Sequence, residues 1–339
     1  MGVYKGRDYI NDIVKNISPS YAYDGVEDFS AWQKRSRQKL EELLGLPLVK
    51  GEMKPVIKAE SETEEYKRID FEFESEQGYL VRCAMLVPKK VKAPAPAVIC
   101  LQGHSTGMHI SLAEPKFETD EVTIAGGRDF AVRAVKEGFC AIAMEQRYMG
   151  TSGQTENGTP SCLDNRENSA MPALLLGRCA IGERVWDIMR LIDVLSKSFS
   201  DVADLSNLIC MGTSGGGTVT FYASCLDERI KLSMPSCALC TFEASIMAMQ
   251  HCSCNYIPGI RKYFNMGDMS GLIAPRKLVA VSGKNDPIFP IGGAESSFEI
   301  TKKLYAAAGA ENACRHVKGD GGHQFYPDDA WPVVHELLK

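Results

Sequence analysis

From Ala97 onward, short apolar runs alternate with stretches of helical spacing, and this pattern constrains the chain more than any other feature. The runs are AVICLQG, FCAIAME, NLICMG, IKLSMPS, KLVAVSG and ACRHVKG. Helical segments are expected near residues 129–137, 181–196, after Gly217, near 296–308, and at the C-terminal end. Continuous apolar strands separated by helices predict an α/β fold, with a mostly parallel sheet covered on both faces. The segment near 181–196 shows the basis. Val185, Ile188, Met189, Ile192 and Leu195 recur at helical spacing, while Arg184, Asp187, Arg190 and Asp193 occupy the other side. Upstream, YKRIDFEFES and GYLVRCAMLVPKK alternate in the manner of a hairpin around Glu76, Gln77 and Gly78.

The domain organisation expected is an N-terminal helical arm over residues 1–48, ended by Pro47, followed by one α/β domain over 49–339. Three insertions interrupt that domain near 105–126, 150–176 and 241–274. Each follows the C-terminal end of an apolar run, the end at which open α/β sheets bind ligands, so together they are expected to roof a site.

Charge narrows the partners. The chain carries 38 basic and 43 acidic residues, a net charge of −5, with no basic stripe of the kind nucleic-acid binding requires. No run approaches the roughly 18 uncharged apolar residues of a membrane helix. The start, MGVYKGRDYINDIVKN, has no apolar run before a small-residue cleavage site. Several of the twelve cysteines, Cys100, Cys140 and Cys210 among them, sit inside apolar runs. Buried reduced thiols in a cytoplasmic enzyme fit that placement. The expectation is a cytoplasmic protein with a small-molecule substrate, without nucleic-acid or membrane partners, and with the arm available for a homo-oligomer.

The pentapeptide MGTSG occurs twice, at Met149–Gly153 and at Met211–Gly215. Only the second extends to a full G-x-S-x-G, Gly212 to Gly216, and only it lies between an apolar run and a helical segment. A nucleophilic serine at a sharp strand-to-helix turn needs glycine two before and two after it, because side chains there collide with neighbouring backbone. Ser214 is therefore the candidate nucleophile and Ser152 a turn residue. Downstream, Asp286 follows KLVAVSG and His323 follows ACRHVKG. Ser, acid, His in that order allows His323 to take the Ser214 proton while Asp286 fixes the imidazole tautomer. Asp320 is the alternative acid, and His104, His109, His251, His316 and His335 are the other histidines. The oxyanion hole is expected from the backbone N–H groups of His104, in LQGHSTG, and Gly215. Arg147 is a candidate for a substrate carboxylate, with pairing to Glu145 or another surface acid as the alternative.

Over about Val81 to Lys339, the combination of LLLGRCAIGERVWDIMRLIDVL, MGTSGGGTVTFYAS, CSCNYIPGI, GLIAPRKLVAVSGKNDPIFP and GGHQF resembles the α/β-hydrolase superfamily. Within it, these motifs are similar to the acetyl-xylan-esterase-like and dienelactone-hydrolase-like branch, including α/β-hydrolase family 7. The resemblance implies the α/β-hydrolase fold and a serine carboxylesterase, often acting on acetylated carbohydrates or other small esters through an acyl-enzyme, with the trio Ser214, Asp286 and His323. Two positions depart from relatives. Dienelactone hydrolases use a cysteine nucleophile where Ser214 stands, and Gln102-Gly103-His104 replaces the His-Gly of many esterases. A peptidase of the same superfamily and a catalytically silent ligand-binding relative are the competing functions. Cys237-x-x-Cys240 with His251, Cys252 and Cys254 has the residue types of a zinc site, but packing is the preferred reading. No metal and no cofactor are expected.

Overall fold

The computed structural model describes residues 5–153, 158–163, 168 and 170–339. Among them, nine strands form one sheet in the order β1-β2-β3-β5-β4-β6-β7-β8-β9. They are β1 (Val56–Glu62), β2 (Tyr66–Glu76), β3 (Tyr79–Pro88), β4 (Ala95–Leu101), β5 (Cys140–Met144), β6 (Ala203–Thr213), β7 (Leu232–Ser236), β8 (Lys277–Gly283) and β9 (Cys314–Gly319). From β5 through β9 all neighbours are parallel, and β1, β2, β3 and β5 pair antiparallel. The expected α/β architecture is what the chain forms.

Burial on both faces explains why the central runs are continuously apolar. Along β4, Ala97, Ile99 and Leu101 join one core cluster and Val98 and Cys100 the other. Helices Phe29–Leu44, Ala180–Ser198 and Gly215–Leu226 cover the first face, and Phe130–Lys136 and Pro327–Leu338 the second. The hairpin turns through Gln77 and Gly78, with Gly78 at φ 84°.

Three details differ from the sequence reading. Strand β1 carries no apolar alternation, since all seven of its residues are exposed, and only backbone pairing to β2 places it at the sheet edge. The arm contains two helices, Gly6–Lys15 and Phe29–Leu44. Asp28 caps the start of the second by accepting from the Ala31 N–H, and left-handed Gly45, not Pro47, ends it. Trp32 in this helix is fully buried, and Gln33 Nε2 donates to the carbonyls of Gly271 and Ala274, so the arm is tied to the third insertion. Finally, helix Ala180–Ser198 is buried nearly all round, its polar side included, because Arg184 and Asp187 lie under the loops that follow β5 and beside the hairpin. Residues 154–157, 164–167 and 169 of the second insertion, and 1–4 of the arm, lie outside the described residues. No described helix is long and apolar enough to cross a membrane.

Candidate active site

Strand β6 ends at Thr213, and helix Gly215–Leu226 begins two residues later, which leaves Ser214 alone at the bend with φ 56° and ψ −123°. A non-glycine residue held there stores about 1–3 kcal/mol of backbone strain. The bend survives because its surroundings fix it. The Ser214 N–H donates to the Ser236 carbonyl of β7 (2.9 Å), and the Ser214 carbonyl accepts from the Thr218 N–H (2.8 Å). The flanking glycines are needed for close approach. A Cβ on Gly212 would lie 2.6 Å from the Leu101 carbonyl oxygen, and one on Gly216 would lie 2.3 Å from that same oxygen and 2.4 Å from the Gln102 oxygen. Gly216→Ala should therefore cost about 1–3 kcal/mol by overpacking, measured by urea denaturation. Gly292→Ala, where a Cβ meets nothing within 4 Å, should change stability by no more than about 0.5 kcal/mol.

Strands β8 and β9 deliver the acid and the imidazole. Asp286 lies three residues past β8, buried, with Oδ1 accepting from the N–H groups of Ile288 (2.8 Å) and Phe289 (3.0 Å). Its Oδ2 accepts from His323 Nδ1 at 2.8 Å. Burial pushes the Asp286 carboxyl upward, but the His323 hydrogen bond and charge, with the Phe289 and Ile288 N–H groups, outweigh it and hold the carboxyl below 3.8. The His323 ring stacks on Phe289 with an interplanar angle of 14°. Ser214 and His323 line one cavity of about 290 Å³, together with His104, Arg128, His251 and Cys252. Their side chains share no hydrogen bond in this conformation, and the Ser214 hydroxyl has no hydrogen-bond partner among the described residues.

The loop after β4 closes the elbow from the other side. A Cβ on Gly103 would lie 2.7 Å from the Thr213 oxygen, and one on Gly215 would lie 2.7 Å from His104 Cε1. Among the described residues, the backbone N–H groups of His104 and Gly215 have no acceptor. Gln102, which stands where many esterases have histidine, is buried and donates through Nε2 to Ser111 Oγ and the Arg128 carbonyl, both at 2.7 Å. It thus anchors this loop to the first insertion.

The model of the Abhydrolase family designated Abhydrolase 7 matches residues 4–319. The chain belongs to this α/β-hydrolase family. A curated Bacillus subtilis (strain 168) relative, named "Putative hydrolase YtaP", is 24% identical over 246 residues, covering 70% of this chain and 75% of that one. Among solved structures, a protein described as a putative acetyl xylan esterase of Bacteroides fragilis NCTC 9343 superimposes with a TM-score of 0.78 at 19% identity, over 98% of this chain and 84% of that one. A glucuronoyl esterase from Solibacter usitatus gives 0.71 at 14% identity, over 95% and 98%. These likenesses are of fold.

Three other histidines of this α/β-hydrolase are engaged elsewhere. His109 binds Asp120, His316 binds Ser282 and His335 binds Glu137. His251 lines the cavity, but Asn255 Nδ2 approaches its Nδ1 at 2.9 Å, and burial lowers it to about 4. Asp320 pairs with Lys284 at the surface, and Ser152 hydrogen-bonds the Tyr79 hydroxyl.

Arg147 requires correction. It is buried, its Nε and Nη2 grip Asp187 (both 2.8 Å), its Nη1 reaches Glu76 (2.7 Å), and its guanidinium stacks on Tyr79. Its guanidinium is thus taken up by acids other than Glu145, buried Asp187 and partly buried Glu76, and is not free for a substrate carboxylate. The cation that does line the cavity is Arg128, which has no ion pair among the described residues. Sequence reasoning passed over it; its only signal is its place after Gly126-Gly127, where the first insertion meets helix Phe130–Lys136.

The cysteine grouping also changes. Cys237 Sγ lies beside Asp286 and donates to the Gln324 carbonyl, and Cys240 contacts the Pro290 carbonyl, whereas Cys252 and Cys254 lie across the cavity against His104. C-x-x-C spacing suggested a unit, but Cys237 and Cys240 make separate contacts, to the Gln324 and Pro290 carbonyls.

Glu145, at the C-terminal end of β5, clamps two insertions by accepting from the N–H groups of Met108 (3.1 Å) and Thr151 (3.2 Å). Burial pushes its carboxyl from 4.5 up to about 7, against those N–H bonds. The folded chain thus holds this proton more tightly than the unfolded chain. Its contribution to stability is complete below about pH 4.5 and is lost as pH rises through about 7, at about 1.4 kcal/mol per unit. Chemical denaturation at pH 5 and pH 8 should show this loss, about 3 kcal/mol at most, and Glu145→Gln should flatten it.

Proposed function

We propose that this protein is a serine esterase that cleaves a small carboxylic ester, with an acetyl ester of a carbohydrate as the favoured substrate. The observation that carries the reading is the Asp286–His323 pair opening on the same cavity as the strained Ser214 elbow. In this mechanism His323 Nε2 accepts the Ser214 proton as Oγ attacks the ester carbonyl, and Asp286 holds Nδ1–H and stabilises the imidazolium. The tetrahedral oxyanion forms against the N–H groups of His104 and Gly215, which have no acceptor among the described residues; that of Gly215 opens the elbow helix. His323 then protonates the leaving alcohol, and water hydrolyses the acyl-enzyme by the same route in reverse.

A cavity of about 290 Å³ suits a short acyl group. The Arg128 guanidinium on its wall favours a polar or anionic leaving group over an alkyl chain. The names of two proteins sharing the fold, an acetyl xylan esterase and a glucuronoyl esterase, support a carbohydrate ester in the same sense. The test is a panel of acetylated sugars, aryl acetates, lactones and longer-chain acyl esters. The expected result is highest kcat/KM on acetylated sugars and decline with acyl length; a panel on which the wild type does no better than Ser214→Ala would end the proposal.

A further inference from the structure

Four soft donors from three separate segments converge beside the candidate active site. His104 Nε2 lies 3.0 Å from Cys254 Sγ, Cys254 Sγ lies 3.2 Å from Cys252 Sγ, and Cys252 Sγ lies 3.9 Å from His104 Nδ1. Cys162 completes the group, since its Sγ, Cys254 Sγ and a ring nitrogen of His104 all lie within 4.8 Å of one another. We propose that His104, Cys162, Cys252 and Cys254 form a tetrahedral zinc site adjoining the cavity that holds Ser214.

The dimensions fit. Zinc–sulfur bonds of about 2.3 Å in a tetrahedron place sulfur atoms about 3.8 Å apart, so the Cys252 and Cys254 sulfurs, 3.2 Å apart, need to part by only about half an ångström to admit an ion. Three cysteines with one histidine is also a donor set typical of closed, structural zinc sites.

The electrostatics fit as well. Arg184 is 1% exposed and makes no ion pair with a carboxylate among the described residues. Its Nε donates to the Arg147 carbonyl, and its Nη2 points at Cys162 Sγ, 3.8 Å away. A buried cation with no counter-ion is costly. Zinc with three thiolates and a neutral imidazole carries a net charge of −1, which Arg184 neutralises. Outer contacts are those expected around metal thiolates, with Asn255 Nδ2 donating to Cys252 Sγ at 3.0 Å and Arg184 to Cys162. Cys162 and Cys252 also line a second cavity of about 600 Å³, which gives an ion a way in.

The site has a consequence for the loop after β4. His104 supplies one ring nitrogen to the metal, and its ring rests against Gly215. Coordination would fix the residue whose backbone N–H faces the elbow, and it would join the loop after β4 to the second and third insertions through one ion. This makes His104 a positioning residue through its side chain, apart from any role of its N–H.

The full-length protein, purified under reducing conditions, treated with a chelator and reconstituted with Zn²⁺, should hold about one zinc per chain by elemental analysis. Its melting temperature should rise on zinc addition. Co²⁺ in place of zinc should give thiolate-to-metal charge transfer and the visible bands of a tetrahedral site. Cys254→Ser and Cys162→Ser should each lower zinc content by at least tenfold, whereas Cys314→Ser, in β9, should retain it. Wild-type protein that stays metal-free in excess zinc, an octahedral cobalt spectrum, equal zinc in wild type and Cys254→Ser, or a Cys252–Cys254 disulfide persisting under the same reductant would each overturn the proposal. The wild-type stoichiometry and spectrum decide the matter even if the variants fail to fold. Zinc binding without ester turnover would leave this site standing and remove only the esterase reading.

Discussion

Ser214→Ala should abolish ester turnover while leaving the fold intact. The expected fall in kcat is about 10⁴- to 10⁶-fold, the range seen when the nucleophile of a comparable trio is removed. Two features make the experiment clean. The Ser214 hydroxyl has no protein partner among the described residues, so its removal leaves no donor or acceptor unsatisfied. Alanine also keeps the Cβ, so the strained backbone at φ 56° is neither relieved nor worsened, and stability should change by about 0.5 kcal/mol or less. The measurements are kcat/KM on an aryl acetate and on an acetylated sugar, with a fluorophosphonate probe whose adduct should map to Ser214 by peptide mass spectrometry. Retention of more than about 1% of wild-type turnover by a folded variant, or an adduct on Ser152, would displace Ser214 from the role proposed for it.

Asp286→Asn should lower kcat by about 10⁴-fold with little change in KM. Oδ1 accepts from the Ile288 and Phe289 N–H groups, and an asparagine carbonyl oxygen can keep both bonds. The amide nitrogen then replaces Oδ2 opposite His323 Nδ1. It can only donate, so the imidazole must present Nδ1 as an acceptor and carry its proton on Nε2, the atom that has to receive the serine proton. The lesion is therefore in the tautomer and not in substrate binding, which is why kcat should fall and KM should not. Reaction with the fluorophosphonate should slow in parallel. Asp320→Asn, at the exposed pair with Lys284, is the comparison and should retain near-wild-type activity. If Asp320→Asn were the damaging change and Asp286→Asn the silent one, the assignment of the acid would have to move.

Most of the fold was legible because its signals are short-range. Apolar runs buried on both faces, helical spacing in Ala180–Ser198, and the Gln77-Gly78 turn each depend on residues within one element. Strand β1 was not legible because it is exposed throughout and takes its place only by pairing with β2. The polar side of helix Ala180–Ser198 was misleading in another way. Arg184 and Asp187 have the residue types of a solvated face, yet loops and the hairpin bury them, and ion pairing and thiol contacts replace water.

By itself the sequence determined the elbow, since Gly212, Ser214 and Gly216 satisfy a steric requirement set by backbone atoms only a few residues or one strand away. It also determined the order in which acid and imidazole follow, because both sit just past strand ends that the apolar pattern marks. Only the tertiary structure decided what lines the cavity. Arg147 turned inward to Asp187 and Glu76, Arg128 took the cavity wall, and His104 in the loop after β4 met Cys162, Cys252 and Cys254 of the second and third insertions. Those insertions carry no periodicity, so their mutual positions follow from long-range packing on the sheet and leave no trace in local spacing.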